Sequence, residues 1–136
     1  MQNDELYNQL AFYTLSHEGK DFIHQHLVDA YTIQTANEQT KPIAIIYALA
    51  GIYLHVEKNY TGKEVQQAHL KMSKKSKVFP IIILPKNRSA ITISDIIKID
   101  DPKEKDVAIH KWCESIWHAF ADQHESIKDN TESLLN

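Results

Sequence analysis

Apolar residues are concentrated in one stretch of the chain, Pro42–Glu57, where almost every position is hydrophobic. A helix that is apolar on every side is one that is buried on every side. The stretch therefore predicts a central helix that the rest of the chain surrounds. It is shorter than the roughly 20 residues that a membrane-spanning helix requires, so it does not predict a membrane protein.

Apolar residues at helical spacing predict two amphipathic helices before this stretch. The first is expected from Asn3 or Asp4 to about Leu15, and the second over about residues 20–35. In both segments apolar positions recur at intervals of three and four, which places them on one helix face. Gly19, between the two segments, suits the left-handed cap position at the end of the first helix.

Three further helices are predicted after the central stretch, and each begins with a capping sequence. Thr61-Gly-Lys-Glu64, Thr92-Ile-Ser-Asp95 and Asp101-Pro-Lys-Glu104 each have a hydroxyl or carboxylate three residues before an acidic residue, the pattern of a capping box. The last helix is predicted to run to about Asp129, with a frayed tail after Asn130.

One segment lacks the helical pattern. Residues 78–85 have three consecutive isoleucines between two prolines, which favours an extended backbone. The segment is expected either to pair with Ala90–Ile93 as a short hairpin or to cover the helical core as a loop. The chain is thus predicted to be mostly all-α: one domain over residues 1–136, a compact bundle of five or six helices around the central one, with one extended segment near residues 78–93.

Charge and composition exclude several classes of function. The net charge of −3, with histidines neutral, provides no concentrated basic face for nucleic acid. Lysines at 71–77 are expected to form a solvated helix end. The single cysteine, Cys113, cannot form an internal disulfide and is expected to be a small buried hydrophobe. The polar N-terminus lacks the parts of a signal peptide, so a soluble, cytoplasmic protein is expected.

Histidine is the one unusual feature of the composition, with eight residues. His24 on the second helix and His124 on the last would converge if those helices are neighbours. With Asp29 or Glu57 they would then bind a divalent metal such as zinc. However, the sequence has no His-x-x-x-His or His-Glu-x-x-His pair. His55, near the end of the central helix, is expected to pack there or to point into an internal pocket.

Aromatic and polar residues within the apolar stripes are candidates for a ligand pocket. Buried tyrosines need partners for their hydroxyl groups, and Tyr47 and Tyr53 are expected to find them in Asp29, Gln34 or a histidine. A polar network inside a helical bundle either fixes the register of the helices or lines a pocket. The pocket candidates are Asp29, Tyr31, Gln34, Tyr47, Tyr53 and Trp117.

The segment Phe22–Gln34 resembles the signature of an uncharacterised bacterial family, a domain of unknown function. It has the histidine, the Val-Asp-Ala-Tyr run and the following glutamine of that signature. Ala90–Asp95 and the tryptophans and histidine of the last helix fit the same family, over about residues 6–128. The resemblance points to His24, Asp29, Tyr31, Gln34, Trp117 and His124. It implies a fold and a functional face but no reaction, and the chain departs from it at Thr35, where the family usually has a second histidine.

Two classes of function are compatible with these patterns. A non-enzymatic binding or assembly module is favoured, because no complete catalytic or nucleotide-binding motif occurs. Self-association into a homodimer through the last helix would suit such a module. The alternative is a metal-dependent, hydrolase-like enzyme with a histidine and carboxylate site between the second and last helices.

Overall fold

The computed structural model describes residues 2–17, 21–75 and 78–136. In these residues the chain forms seven α-helices and one 3₁₀ turn: α1 Gln2–Ser16, α2 His24–Thr35, α3 Pro42–Lys58, α4 Gly62–Met72, α5 Ile93–Ile97, α6 Pro102–Ala119, the turn Ala121–Gln123 and α7 His124–Leu135. No strand occurs in these ranges, so the all-α prediction is confirmed. The predicted cap at Gly19 and the end of the lysine cluster lie outside the described residues.

The helix predicted to be central, α3, is largely buried. It packs against α2, α4, α6 and α7, and its residues from Ile45 to His55 are buried except for Tyr47, which is half-buried. Pro42 occupies the first turn, where its missing N–H costs no helical hydrogen bond. Asn59 ends the helix in the left-handed conformation, with φ of 59°. Because α3 has neighbours on most sides, apolar residues are required around most of its circumference.

The second helix begins at His24, later than predicted. Phe22 has a φ of 51°, a left-handed conformation that the interior of an α-helix does not contain. The N–H of Gly62 donates to the carbonyl of Asp21 at 2.6 Å, and a Cβ on Gly62 would lie 1.8 Å from the Phe22 carbonyl oxygen. Close contact between this turn and the start of α4 therefore determines where α2 begins.

The predicted last helix is two helices. Phe120 is fully buried and has a non-helical backbone, with φ of −99° and ψ of 19°. His124 begins α7, and its Nε2 atom lies 2.6 Å from the Trp117 carbonyl, which also accepts from the Phe120 N–H at the end of α6. His110, Trp117 and His124 therefore do not form one straight stripe. The last helix continues past Asn130 to Leu135, because Leu134 is buried.

Residues 78–92 form a covering loop, the second of the two predicted alternatives. Ile82, Leu84 and Ile91 pack against the core, and no pairing with Ala90–Ile93 is seen in the described chain. Arg88 holds the loop to the C-terminal end of α2: its guanidinium donates to the carbonyls of Ile33, Gln34 and Ala36. The loop and α2 are thus joined at one point.

The three predicted capping sequences all begin helices. At α4, the Glu64 N–H donates to the Thr61 hydroxyl at 3.1 Å, and the Thr61 N–H donates to the Glu64 carboxylate at 2.9 Å. At α5, the Thr92 N–H donates to Asp95 at 3.0 Å. At α6, the Glu104 N–H donates to Asp101 at 3.0 Å. These contacts satisfy N–H groups that a helix start leaves unpaired.

Candidate functional site

A pocket of about 250 Å³ lies where α2, α5 and α6 meet. The end of α2 provides three residues whose spacing places them on one helix face. The start of α5 provides a second wall, and α6 provides the floor. The residues that line it are Tyr31, Gln34, Thr35, Thr92, Ile93, Ser94 and Trp112.

Gln34 and Trp112 form a hydrogen bond between the wall and the floor. Trp112 is fully buried, and its indole Nε1–H donates to Oε1 of Gln34 at 3.2 Å. Because an indole N–H can only donate, the amide atom that faces it must be the oxygen. This contact fixes the orientation of the Gln34 amide. The Gln34 NH₂ group has no hydrogen-bond partner among the described residues.

Tyr31 is positioned by α1. Its hydroxyl donates to Oδ1 of Asp4 at 2.7 Å, and its ring stacks on Tyr7 with centroids 4.1 Å apart. Burial, followed by the contact with Asp4, raises the pKa of Tyr31 to about 12. The hydroxyl therefore remains protonated at neutral pH, and its oxygen can still accept a hydrogen bond from a ligand.

The hydroxyl groups of the pocket are held by local contacts. Thr92 Oγ1 and Ser94 Oγ lie 2.9 Å apart, and the Thr35 hydroxyl donates to the Tyr31 carbonyl at 2.8 Å. Every side chain that lines the pocket is uncharged. The walls thus offer amide and hydroxyl groups, and the floor is aromatic and aliphatic.

A histidine cluster, made of His26 from α2, His55 from α3 and His110 from α6, extends from the helical core to the partly exposed ring of His110. The rings of His26 and His55 stack with centroids 3.5 Å apart. His55 Nε2 lies 2.8 Å from His110 Nδ1, and His55 Nδ1 lies 2.9 Å from the carbonyl of Tyr60. His26 and His55 are 2% and 9% exposed.

The contacts and burial of the histidine cluster determine its proton positions. The Tyr60 carbonyl can only accept, so His55 carries its proton on Nδ1, and its Nε2 accepts from His110 Nδ1–H. Burial lowers the pKa of His26 to about 3, with a further contribution from His55 and His110. Burial also lowers the pKa of His55. Both inner imidazoles are therefore neutral at physiological pH.

Asp29 lies one helical turn after His26 and is also buried. Its Oδ1 accepts from Nε2 of Gln25 at 3.1 Å, while its Oδ2 has no hydrogen-bond partner in the described part of the chain. Burial raises the pKa of this carboxyl well above its usual range. A buried polar atom without a partner is costly. Asp29 is therefore expected to be protonated rather than to carry a buried charge.

His24 and His124 have different neighbours. His24 Nδ1 lies 2.8 Å from the hydroxyl of Thr14, whereas His124 stacks on Trp117 with centroids 3.8 Å apart. No group of three or more His, Cys, Asp or Glu side chains that could hold a metal ion occurs within residues 2–17, 21–75 and 78–136. The metal site shared by His24 and His124 stays a prediction.

The other predicted pocket residues lie outside the pocket lining. The Tyr53 hydroxyl donates to Glu132 at 2.8 Å, rather than to Asp29, Gln34 or a histidine. Trp117 Nε1–H donates to Glu57 at 2.7 Å. Tyr47 contacts His69 through its main-chain carbonyl, which lies 2.7 Å from Nε2 of His69, and not through the hydroxyl for which a partner was expected. Of the six predicted pocket residues, Tyr31 and Gln34 are the two that line the pocket.

Sequence reasoning missed Trp112, Thr92 and Ser94 as pocket residues. The apolar pattern assigned Trp112 to the core, where it also lies, and the capping pattern explained Thr92. The available signal was that all three lie in the later segments that carry the family resemblance. For the histidine cluster no comparable signal exists, because its members are far apart in the chain.

The chain is thus a small all-α protein in which three separate segments meet at an uncharged pocket. The chain belongs to the Family of unknown function (DUF5946), whose model matches residues 4–121, and the predicted family membership is confirmed. The matched range includes the pocket and the histidine cluster and stops before α7. No significant match was found among curated proteins or among solved structures.

None of the described helices has both the length and the hydropathy that a membrane crossing requires.

Proposed function

We propose that this protein is a non-enzymatic binding module that holds a small, uncharged, polar molecule in the pocket between α2, α5 and α6. One observation carries the proposal: all three segments that resemble the family contribute to one pocket. Tyr31 and Gln34 come from the first, Thr92 and Ser94 from the second, and Trp112 from the third.

The lining of the pocket indicates the chemistry of its ligand. A charged ligand would lose hydration without meeting an opposite charge, which is unfavourable. The Gln34 NH₂ group is placed to donate to a carbonyl oxygen, and the oxygen atoms of Tyr31 and Ser94 can accept from an N–H. The volume of about 250 Å³ lies below the 300–1,000 Å³ typical of drug-sized ligands. A small carboxamide or a flat heterocyclic amide fits these conditions.

The test is ligand-observed NMR with benzamide and uracil as probes, and with benzoate and benzylamine as charged isosteres of benzamide. We expect the neutral amides to bind at least tenfold more tightly than either charged isostere, a difference of about 1.4 kcal/mol. In protein-observed spectra of the same mixtures, shifts in the amide resonances of Gln34 and Ser94 would place the ligand in the pocket. No saturation transfer to any neutral amide at millimolar concentration would refute the proposal.

Variants separate ligand binding from folding. Gln34→Leu alone leaves the buried Trp112 N–H without a partner, which costs about 1–3 kcal/mol of stability. The double variant Gln34→Leu with Trp112→Phe removes both partners and is expected to fold, because neither side chain then carries an unpaired group. It should lose amide binding at least tenfold. Gln66→Leu, at an exposed position of α4, is the matched control and should bind as the unaltered protein does.

A further inference from the structure

An extended segment, residues 80–85, forms a surface separate from the pocket. Exposure alternates along it: Ile81 is 92% and Ile83 is 73% exposed, whereas Ile82 and Leu84 pack against the core. Side chains that alternate between two sides with a period of two are characteristic of a β-strand. In the described chain, this segment has no neighbouring strand.

One edge of the segment is already paired by a side chain. The Ile83 N–H donates to Oε1 of Gln123 at 2.9 Å, and Nε2 of Gln123 donates to the Ile83 carbonyl at 2.7 Å. The Gln123 amide thus offers the same donor and acceptor as the peptide group of a neighbouring strand.

The opposite edge is open. In an extended chain, the N–H and C=O groups of successive residues point to opposite edges. The main-chain groups of Ile82 and Leu84 therefore point away from Gln123. Neither residue has a main-chain hydrogen bond to any of the described residues. An unpaired strand edge of this kind is a template for another extended chain.

An apolar groove lies beside the first half of this edge. It has a volume of about 390 Å³, and its walls come from the first turns of α3 and from the extended segment. The lining residues are Pro42, Ile45, Ile46, Phe79, Pro80, Ile81 and Ile82. A chain that lies along the open edge would have this groove available for an apolar side chain.

The charges around the edge distinguish between two strands that could pair with it, one from a second copy of this chain and one with acidic ends. Residues 65–94 contain five lysines and one arginine but no aspartate or glutamate. Lys74 precedes the edge and Lys86 follows it, and both are exposed; Lys75 is also exposed, but it donates to the main-chain oxygen of Asn136 at 2.6 Å. A second copy paired antiparallel would bring the lysines at one end against those at the other, which is unfavourable. A strand with acidic residues at both ends would instead be complementary.

We propose that the open edge of residues 81–84 binds an extended peptide segment of a partner protein, which adds to it as a β-strand. The partner segment has apolar residues at alternate positions and acidic residues at both ends. Main-chain hydrogen bonds to Ile82 and Leu84 supply affinity, and the groove and the lysines supply selectivity. The two prolines limit the paired stretch to four residues. This site is independent of the amide pocket.

The test uses a fluorescein-labelled peptide, Glu-Asp-Val-Thr-Val-Thr-Val-Asp-Glu, in fluorescence polarisation. A matched peptide has lysines in place of the acidic residues. We expect the acidic peptide to bind at least tenfold more tightly, with an affinity that falls as salt screens the charges. No polarisation change with the acidic peptide at millimolar protein would overturn the proposal.

Two further peptides test the main-chain pairing directly. One is N-methylated on its valines and the other on its threonines, so that each loses the N–H groups of one edge. Because a strand pairs through one edge only, one of the two should lose at least tenfold in affinity and the other should bind within twofold of the parent. Equal affinities would show that no strand is added.

Exposed variants test the position of the site. Lys74→Glu with Lys86→Glu should reverse the preference between the acidic and lysine peptides, whereas Lys111→Glu on α6, which is also exposed, should not. Ile81→Ser, which changes an exposed side chain, should weaken binding at least threefold. Light scattering could instead show a dimer that does not bind the peptide and that Ile83→Lys dissociates. That result would assign the edge to self-association and overturn the proposal.

Discussion

Nδ1 of His110 lies 2.8 Å from Nε2 of His55, which makes His55 the middle of a hydrogen-bonded chain through the core. At its inner end His55 contacts the Tyr60 carbonyl, and at its outer end His110 Nε2 lies 3.5 Å from Glu114. Burial lowers the pKa values of His55 and of the stacked ring of His26, so the inner part of this chain opposes a positive charge.

The stability of the fold should decrease in mild acid because of His26. Its pKa is lowered from 6.5 to about 3 by burial and by the two other histidines. Between these values the unfolded state binds a proton that the folded state does not, so stability falls as pH falls. One such group contributes up to about 2 kcal/mol between pH 6.5 and pH 5. His55 changes stability in the same direction, because its pKa is also lowered.

Urea unfolding of the unaltered protein and of His26→Phe, at pH 7.5 and pH 5, measures this effect. The substitution keeps an aromatic ring against His55 but removes the titrating group, so the variant should lose about 2 kcal/mol less than the unaltered protein over this range. His118→Gln, at an exposed position of α6, is the control. Equal losses in the unaltered protein and in His26→Phe would contradict the assignment of this pH dependence to His26.

Asp29 should have the opposite pH dependence. Burial raises the pKa of its carboxyl, so above pH 4 the folded state holds a proton that the unfolded state releases, and stability falls as pH rises. Asp29→Asn has nearly the same shape and does not titrate. Chemical denaturation should therefore give the unaltered protein and Asp29→Asn equal free energies of unfolding near pH 3.5. From there to pH 8, the asparagine variant should become increasingly more stable than the unaltered protein. A constant difference at all pH values would show that the carboxyl is ionised in the fold.

Gly51 faces Asp29, and this contact makes the glycine necessary. Glycine to alanine inside a helix normally stabilises by about 0.5–1 kcal/mol. Here a Cβ would lie 2.1 Å from Asp29 Oδ2 and 3.0 Å from Val65 Cγ1. Gly51→Ala should therefore destabilise by about 1–3 kcal/mol, the usual cost of overpacking a core.

A double-mutant cycle checks that explanation by urea unfolding. With Asp29→Ala present, most of the cost of Gly51→Ala should disappear, because the clashing carboxyl is gone. Gly62→Ala is the control: its Cβ would lie 1.8 Å from the Phe22 carbonyl oxygen, a backbone atom, so Asp29→Ala should not reduce its cost. Additive effects of Gly51→Ala and Asp29→Ala would show that the two positions do not interact.

The sequence predicted those features that depend on local or strongly periodic patterns. The hydrophobic run of α3 and the capping sequences at Thr61 and Asp101 correspond to the observed elements, because hydrophobic burial and helix capping act within a few residues. Cys113 is buried, as its apolar neighbours indicated. Tyr31 and Gln34 were selected as aromatic and polar residues within the apolar stripe of α2, and the family resemblance points to them as well.

The features that the sequence did not predict depend on distant contacts. The three histidines of the cluster are separated from one another along the chain by 29 and 55 positions, and nothing in their local pattern indicates which rings meet. The break after α6 likewise depends on the burial of Phe120 and on the contact of His124 with the Trp117 carbonyl. The helical spacing of apolar residues alone predicted an unbroken helix through Phe120.

Arg88 should be essential for the geometry of the pocket as well as for stability. Its half-buried guanidinium donates to the carbonyls of Ile33, Gln34 and Ala36 at the end of α2, and hydrogen bonds to charged groups contribute about 1.5–3 kcal/mol. Arg88→Met should therefore destabilise by roughly 2–3 kcal/mol in urea unfolding. Arg88→Lys should recover little of this loss, because one ammonium group cannot reach the α2 carbonyls and also replace the Nε–H that donates to the Pro85 carbonyl at 2.9 Å.

Hydrogen exchange distinguishes a local role of Arg88 from a general one. Because Arg88 contacts the last turn of α2, Arg88→Lys should increase amide exchange in that turn more than in α7. The loss of order around Gln34 should also weaken the binding of benzamide in the pocket. Lys86→Met is the control, because Lys86 is exposed, lies two residues away and does not make those contacts. Removing its positive charge should leave amide exchange unchanged and the free energy of unfolding within about 0.5 kcal/mol of that of the unaltered protein. If both variants behave alike, the loop is held by its isoleucines rather than by Arg88.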